Sequence, residues 1–181
     1  LNLFGGLRRD MESLSLASYF AQVSEVLSQE DYPTPEMQSL LLNSLYVLSE
    51  LKLPLAQVKA VFELRSACIA GFTPDLYGCH VCGSQMPTRF DLSSGLLECA
   101  TCRDTASAGI RLPISPAMLE AMRFICFCDP KKLFSFRLDD GALEQLAALT
   151  EGFLTTQLER GFPALDFYKS LCFRADTPGA T

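Results

Sequence analysis

The sequence predicts a mainly α fold: a helical, bundle-like domain with one small four-cysteine hairpin inserted into it. Three observations carry that prediction. Apolar residues recur at helical spacing in successive segments, and proline and glycine stand where helices start and stop. Two Cys-x-x-Cys pairs, Cys79/Cys82 and Cys99/Cys102, lie sixteen residues apart between the third and fourth of those segments. At 181 residues, 49% of them hydrophobic and 20% charged, the chain can bury a core and is not a disordered tail. No apolar run approaches the ~18–20 residues that a membrane span needs.

Residues 1–4 read as the end of a strand, with Gly5-Gly6 breaking to the first helix. With no initiator Met and no signal pattern, the opening reads as a cut into a larger protein. Residues 7–29 carry Leu7, Met11, Leu14, Ala17, Ala21 and Leu27 at amphipathic spacing, opened by Arg8, Arg9 and Asp10. Asp31-Tyr32-Pro33 ends that element. Thr34 offers an N-cap hydroxyl, Pro35 takes the first helical position and Glu36 complements the dipole of a Leu-rich helix running to about residue 51. Leu53-Pro54 restarts the chain, and a third helix follows over residues 54–70, with Gly71 as its C-terminal cap. Glu63 and Arg65 sit inside that apolar segment, either bracing neighbouring helices or touching a ligand.

Residues 88–92 alternate, Ser93-Ser94-Gly95 makes a turn, and residues 96–98 return to Cys99, so a hairpin delivers the second cysteine pair. Ser115-Pro116 repeats the N-cap and first-turn proline signal for a fourth helix, which Asp129-Pro130 ends. Lys131-Lys132-Leu133-Phe134-Ser135-Phe136-Arg137 is a basic-aromatic connector. A last long helix opens at Asp139 or Asp140 and stops by Gly161, and residues 162–171 add a final turn or short helix. The expected organisation is residues 1–77 and 106–172 as the two parts of the helical domain, 78–105 as a four-cysteine zinc finger, and 173–181 as a loose tail.

Two thiolates from each tight turn complete a tetrahedral set, so Cys79, Cys82, Cys99 and Cys102 are expected to hold one structural Zn2+. Four protein sulfurs leave no open position for a reacting water, which argues against catalytic zinc. The only histidine, His80, lies between two ligands and is not expected to be one itself. No serine-hydrolase, phosphate-loop or zinc-protease motif is present, so the chain does not read as an enzyme. The other four cysteines, at 68, 126, 128 and 172, stand in apolar company and read as small buried hydrophobes in a reducing cytosol. The formal charge of −6, about −8 with a four-thiolate zinc, makes a poor general binder of phosphate backbones. Around the cluster, Arg89 and Arg103 are cancelled by Asp91 and Glu98, so the hairpin reads as a brace and not as a nucleic-acid ribbon.

Several residues together resemble the C-terminal part of the RecO family of bacterial recombination mediators. They are Phe62-Glu63-Leu64-Arg65, Gly71-Phe72-Thr73-Pro74-Asp75-Leu76, Cys79-x-x-Cys82-Gly83, and Phe90-Asp91 with Gly95-Leu96-Leu97-x-Cys99-x-x-Cys102. Ile114-Ser115-Pro116, the opening Leu7-Arg8-x-Asp10 and Tyr168-Lys169-Ser170 extend the resemblance over nearly the whole chain. It implies a preceding OB domain, of which residues 1–6 are the last strand and linker, and a role in DNA repair without enzymatic activity. It also implies annealing of complementary strands, a partner RecR, and help in loading RecA onto single-stranded DNA coated by SSB in the bacterial cytoplasm. The OB domain would supply most of the DNA surface, and the helical domain would accept the acidic C-terminal tail of SSB in an apolar pocket rimmed by positive charge. Lys52, Lys59 and Arg65 are the candidate rim residues, and Lys131 and Lys132 candidates for DNA or for the tail.

Two other readings remain beside it. A GTPase-activating zinc module of the ArfGAP type shares the cysteine spacing, but it has a catalytic Arg where this chain has Ser107, and a spacer Trp that this chain lacks. A purely structural helical adaptor with a zinc clip would look the same from its cysteines.

Overall fold

The structure, a computed structural model, describes residues 4–28, 34–51, 53–102 and 109–175, without the side chains of Arg9 and residues 173–175. The described residues form six α-helices and one three-stranded sheet, divided between two units. One unit comprises Leu1–Phe62 with Arg160–Thr181, and the other Glu63–Glu159. No described helix is long and apolar enough to cross a membrane.

The first unit holds α1 (Met11–Leu27), α2 (Pro35–Glu50), the first half of α3 (Leu55–Ile69) and α6 (Pro163–Ala175). The expected start of α1 at residue 7 shifts to Met11, because residues 5–9 wind into a 3₁₀ turn and Asp10 becomes the N-cap. Its carboxylate accepts the amides of Glu12 and Ser13, both at 3.1 Å. Phe4 lies in a left-handed turn with φ 61° and not in a strand; the rest of the expected strand remnant, residues 1–3, is outside the described residues. Thr34 does hold the N-cap position of α2, yet its hydroxyl makes no cap bond, which leaves Pro35 and Glu36 to define that start. The core is aromatic: Phe20 stacks on Phe62 at 3.9 Å between centroids, and Tyr19 meets Phe162 edge-on at 5.4 Å. Gly6 leaves no room for a side chain, because a Cβ there would lie 2.0 Å from the Ser49 carbonyl oxygen.

In the second unit α3 ends as its sequence predicts. Gly71 adopts φ 93°, its amide donates to the Cys68 carbonyl, and the Phe72 amide donates to the Ala67 carbonyl. The hairpin β1 (Arg89–Asp91) and β2 (Leu97–Glu98) pairs Arg89 with Glu98 and Phe90 with Leu97. A third strand, β3 (Arg111–Pro113), pairs with the other edge of β1 and is too short to show in the sequence pattern. Helix α4 (Pro116–Phe127) starts on Ser115, whose hydroxyl accepts the Met118 amide. Helix α5 (Asp140–Gln157) starts on Asp139, whose carboxylate accepts the Ala142 amide. The Ser115 cap is the one expected, and of the two aspartates offered for the start of α5 it is Asp139 that caps. The last helix is longer than expected, running to Ala175.

Candidate metal centre

Each cysteine pair is set by local backbone geometry. The Gly83 amide closes the first turn on the Cys79 carbonyl at 2.8 Å, with Gly83 at φ 71°, a conformation that suits glycine. The His80 amide then donates to the Leu97 carbonyl at 2.9 Å, so the first turn is fastened to β2 immediately before Cys99. The Sγ atoms of Cys79, Cys82, Cys99 and Cys102 consequently lie within 4.8 Å of one another. Tetrahedral thiolates at ~2.3 Å from a metal stand ~3.8 Å apart. Cys82 and Cys99 have that separation, at 3.8 Å. The donor set and its geometry fit zinc, with all four positions filled by protein.

The electrostatics of the four thiols favour a bound cation. Burial opposes ionisation of Cys79, but the amides of Cys82, Val81 and Cys99 point at its sulfur and bring its pKa down to about 6. The next protons leave with difficulty. Cys99 is raised by burial and by the neighbouring sulfurs, and Cys102 is pushed up to about 11, chiefly by Cys82. A bound dication would offset the charge of the four sulfurs as thiolates. His80 stands outside this sulfur group, its Nε2 3.4 Å from Glu98 Oε1.

The hairpin is tied into the helices behind it. Phe90 is fully buried and meets Phe153 of α5 edge-on at 5.3 Å. The Gln157 amide group donates to the carbonyls of Leu92 and Ser93 at 2.9 and 3.0 Å. Across the sheet, Arg111 Nε donates to Glu98 at 2.8 Å and its other end lies 3.8 Å from Asp91. Asp91 also accepts the amides of Ser93 and Ser94, closing the turn. The acidic residues that the sequence sets against Arg89 and Arg103 are thus buried and answered by Arg111; Arg103 lies outside the described residues.

The candidate partner residues are scattered. Lys52 lies outside the described residues. Lys59 is buried, only 4% exposed, which removes it from any solvent-facing rim. Arg65 turns inward, its guanidinium donating to the carbonyls of Ile125 and Cys126 at the end of α4, while Glu63 accepts the Thr150 hydroxyl at 2.8 Å. Both residues brace helices. Lys131 and Lys132 are exposed on a 3₁₀ turn after α4.

A groove that sequence reasoning misses opens beside that turn. It has a volume of about 670 Å3 and is lined by Phe124 and Phe127 of α4 with Phe136, Arg137 and Leu138 of the connector. Phe127 is 68% exposed, Phe124 and Phe136 meet edge-on at 5.9 Å, and Arg137 is exposed without a carboxylate partner among the described residues. The usable signal was present: an aromatic pair three residues apart at the end of a helix, followed by a basic-aromatic connector.

A family model described as Recombination protein O C terminal matches residues 8–166. The DNA repair protein RecO of Acetivibrio thermocellus is 30% identical over 174 residues, covering 93% of this chain and 67% of that protein. Those of Desulforudis audaxviator and Desulfosudis oleivorans are 29% and 27% identical, over 94% and 86% of this chain and 68% and 63% of theirs. The chain spans about two thirds of the length of these relatives.

Proposed function

Because this chain belongs to the RecO family, matching its C-terminal part, we propose that it is the partner-binding portion of a DNA-repair and recombination mediator. It acts without catalysis, in the bacterial cytoplasm, in strand annealing and in the loading of RecA on SSB-coated single strands, with RecR as partner. An OB domain N-terminal to it handles most of the DNA, which suits the acidic balance of the chain. One Zn2+ held by Cys79, Cys82, Cys99 and Cys102 fixes the hairpin. The family membership takes the place of the GTPase-activating reading.

The observation that carries the partner role is the groove at the end of α4. An acidic peptide ending in a hydrophobic residue needs an apolar slot and an available cation beside it. Phe124, Phe127 and Phe136 supply the slot and Arg137 the cation. Lys131 and Lys132 stand on the same connector and serve as an added DNA contact. The SSB tail is accordingly assigned to this groove rather than to the inward-facing Arg65.

Fluorescence anisotropy with a labelled SSB-tail peptide tests the assignment. Arg137→Glu and Phe127→Ala are expected to weaken binding about tenfold or more, with Arg137→Glu also flattening the salt dependence. Unchanged affinity in both variants would remove the groove from the tail site. Annealing activity regained on adding the N-terminal domain separates the mediator from a mere structural adaptor.

A further inference from the structure

Among the cysteines outside the metal cluster, two that are far apart in sequence meet. Cys68, on the last turn of α3, and Cys126, near the end of α4, bring their sulfurs to 3.6 Å, within hydrogen-bonding distance, across 58 residues of chain. Distant in the sequence, these two are neighbours in the fold. Cys68 is half-buried and open to a small reagent, whereas Cys126 is only 6% exposed. Arg65, one turn before Cys68, donates to the carbonyls of Ile125 and Cys126 and pins the two helices together at this point.

We infer that Cys68 and Cys126 are an oxidisable pair, which hydrogen peroxide or a peroxide of that class joins in a disulfide tying α3 to α4. A disulfide needs its sulfurs at ~2.05 Å, so each side chain has to travel under ~1 Å, within reach of small χ rotations that leave the braced backbone in place. Cys68 is the entry point. The sulfur–sulfur hydrogen bond with Cys126, aided by the Thr73 hydroxyl and the Arg65 charge, holds the Cys68 thiol below the usual value against the opposing effect of burial, whereas Cys126 is raised by the same contact and by burial. The Cys68 thiolate attacks one peroxide oxygen; the S–O bond forms, the O–O bond breaks, and the departing hydroxide takes a proton and leaves as water. Cys126 then attacks the Cys68 sulfenic acid. The S–S bond forms, the S–O bond breaks, and the hydroxide leaves with the Cys126 proton as a second water. Two thiols have given two electrons to one peroxide. The bond closes a loop containing the whole hairpin, so the oxidised chain should resist unfolding better than the reduced one.

The test uses the 181-residue chain loaded with Zn2+, exposed to a small excess of hydrogen peroxide, alkylated with iodoacetamide and mapped by non-reducing peptide mass spectrometry. A chromophoric chelator follows zinc release in parallel. The expected result is a Cys68–Cys126 link formed before zinc is lost, present in Cys128→Ser and Cys172→Ser, and absent in Cys68→Ala and Cys126→Ala. The oxidised protein should melt roughly 5 °C or more above its reduced form, a gain that dithiothreitol reverses. Alkylation of both Cys68 and Cys126 after peroxide, or a Cys126–Cys128 link instead, overturns the inference. The link is mapped on the unsubstituted chain, so a variant that fails to fold does not alter the outcome.

Discussion

Arg111 Nε lies 2.8 Å from Glu98 Oε2, joining β3 to the residue that precedes a cluster cysteine. Glu98 is 2% exposed and Asp91, also within reach of Arg111, is 1% exposed. One guanidinium thus compensates two buried carboxylates while the hairpin presents its sulfurs. Removing it takes away the positive charge that faces both carboxylates, and a buried charge that loses its counter-charge costs far more than the intact pair contributes.

Arg111→Met is therefore expected to destabilise the chain by about 3 kcal/mol in urea denaturation. Adding Glu98→Gln should recover part of that loss, because it removes one of the two buried negative charges that Arg111 faces. A loss below about 1 kcal/mol in the single variant would mean that water reaches these carboxylates.

The contact of Phe90 with Phe153 is the apolar counterpart of that pair. Either residue changed to Ala should cost about 3–5 kcal/mol through lost burial and the cavity left behind. A double-mutant cycle should return a coupling of about 0.5–1.5 kcal/mol, since the second truncation removes a ring whose partner is already gone.

Asp10 gives a pH dependence whose sign follows from its cap. Hydrogen bonds from the Ser13 hydroxyl, and then from the Ser13 and Glu12 amides, hold its carboxyl below the usual value. The capping contribution is therefore fully present above the unfolded carboxylate pKa, ~3.9, and fades as pH falls through the lower folded value. Asp10→Ala should cost about 1 kcal/mol at neutral pH and progressively less below pH ~4. Urea titrations of both proteins across that range check it; a constant difference down to pH ~2 would contradict the account.

Lys131 and Lys132 stand exposed on the connector. In protein that also carries the N-terminal domain, changing both to Gln should reduce the slope of log affinity for single-stranded DNA against log salt by roughly 1.4, about 0.7 for each lost phosphate contact. A slope identical to that of the unsubstituted protein would withdraw both lysines from the DNA surface.

What the sequence discloses follows from how local each feature is. Ser115 and Gly71 announce helix ends because capping is settled within a few residues, and each does what its position predicts, while Asp139 and Asp140 mark a start to within one residue. The cysteine pairs are legible for the same reason: each is one turn. Thr34 shows the limit of such reasoning, since a capping residue type in the capping position still leaves its hydroxyl unused. Everything that needs distant chain to converge stays hidden. Lys59 and Arg65 look like surface cations until burial and the carbonyls at the end of α4 claim them. The three-residue strand at Arg111 and the meeting of Cys68 with Cys126 have no periodic signature, because each exists only where two remote segments meet.

The central claim is that a closed four-thiolate zinc site folds the hairpin. Elemental analysis of the purified chain, paired with thermal melting before and after chelation, tests it most directly. One zinc per chain is expected, with its loss in Cys99→Ser and on chelation accompanied by a lower melting temperature and loss of hairpin amide protection. A metal-free chain that melts at the same temperature with its hairpin protected would contradict it.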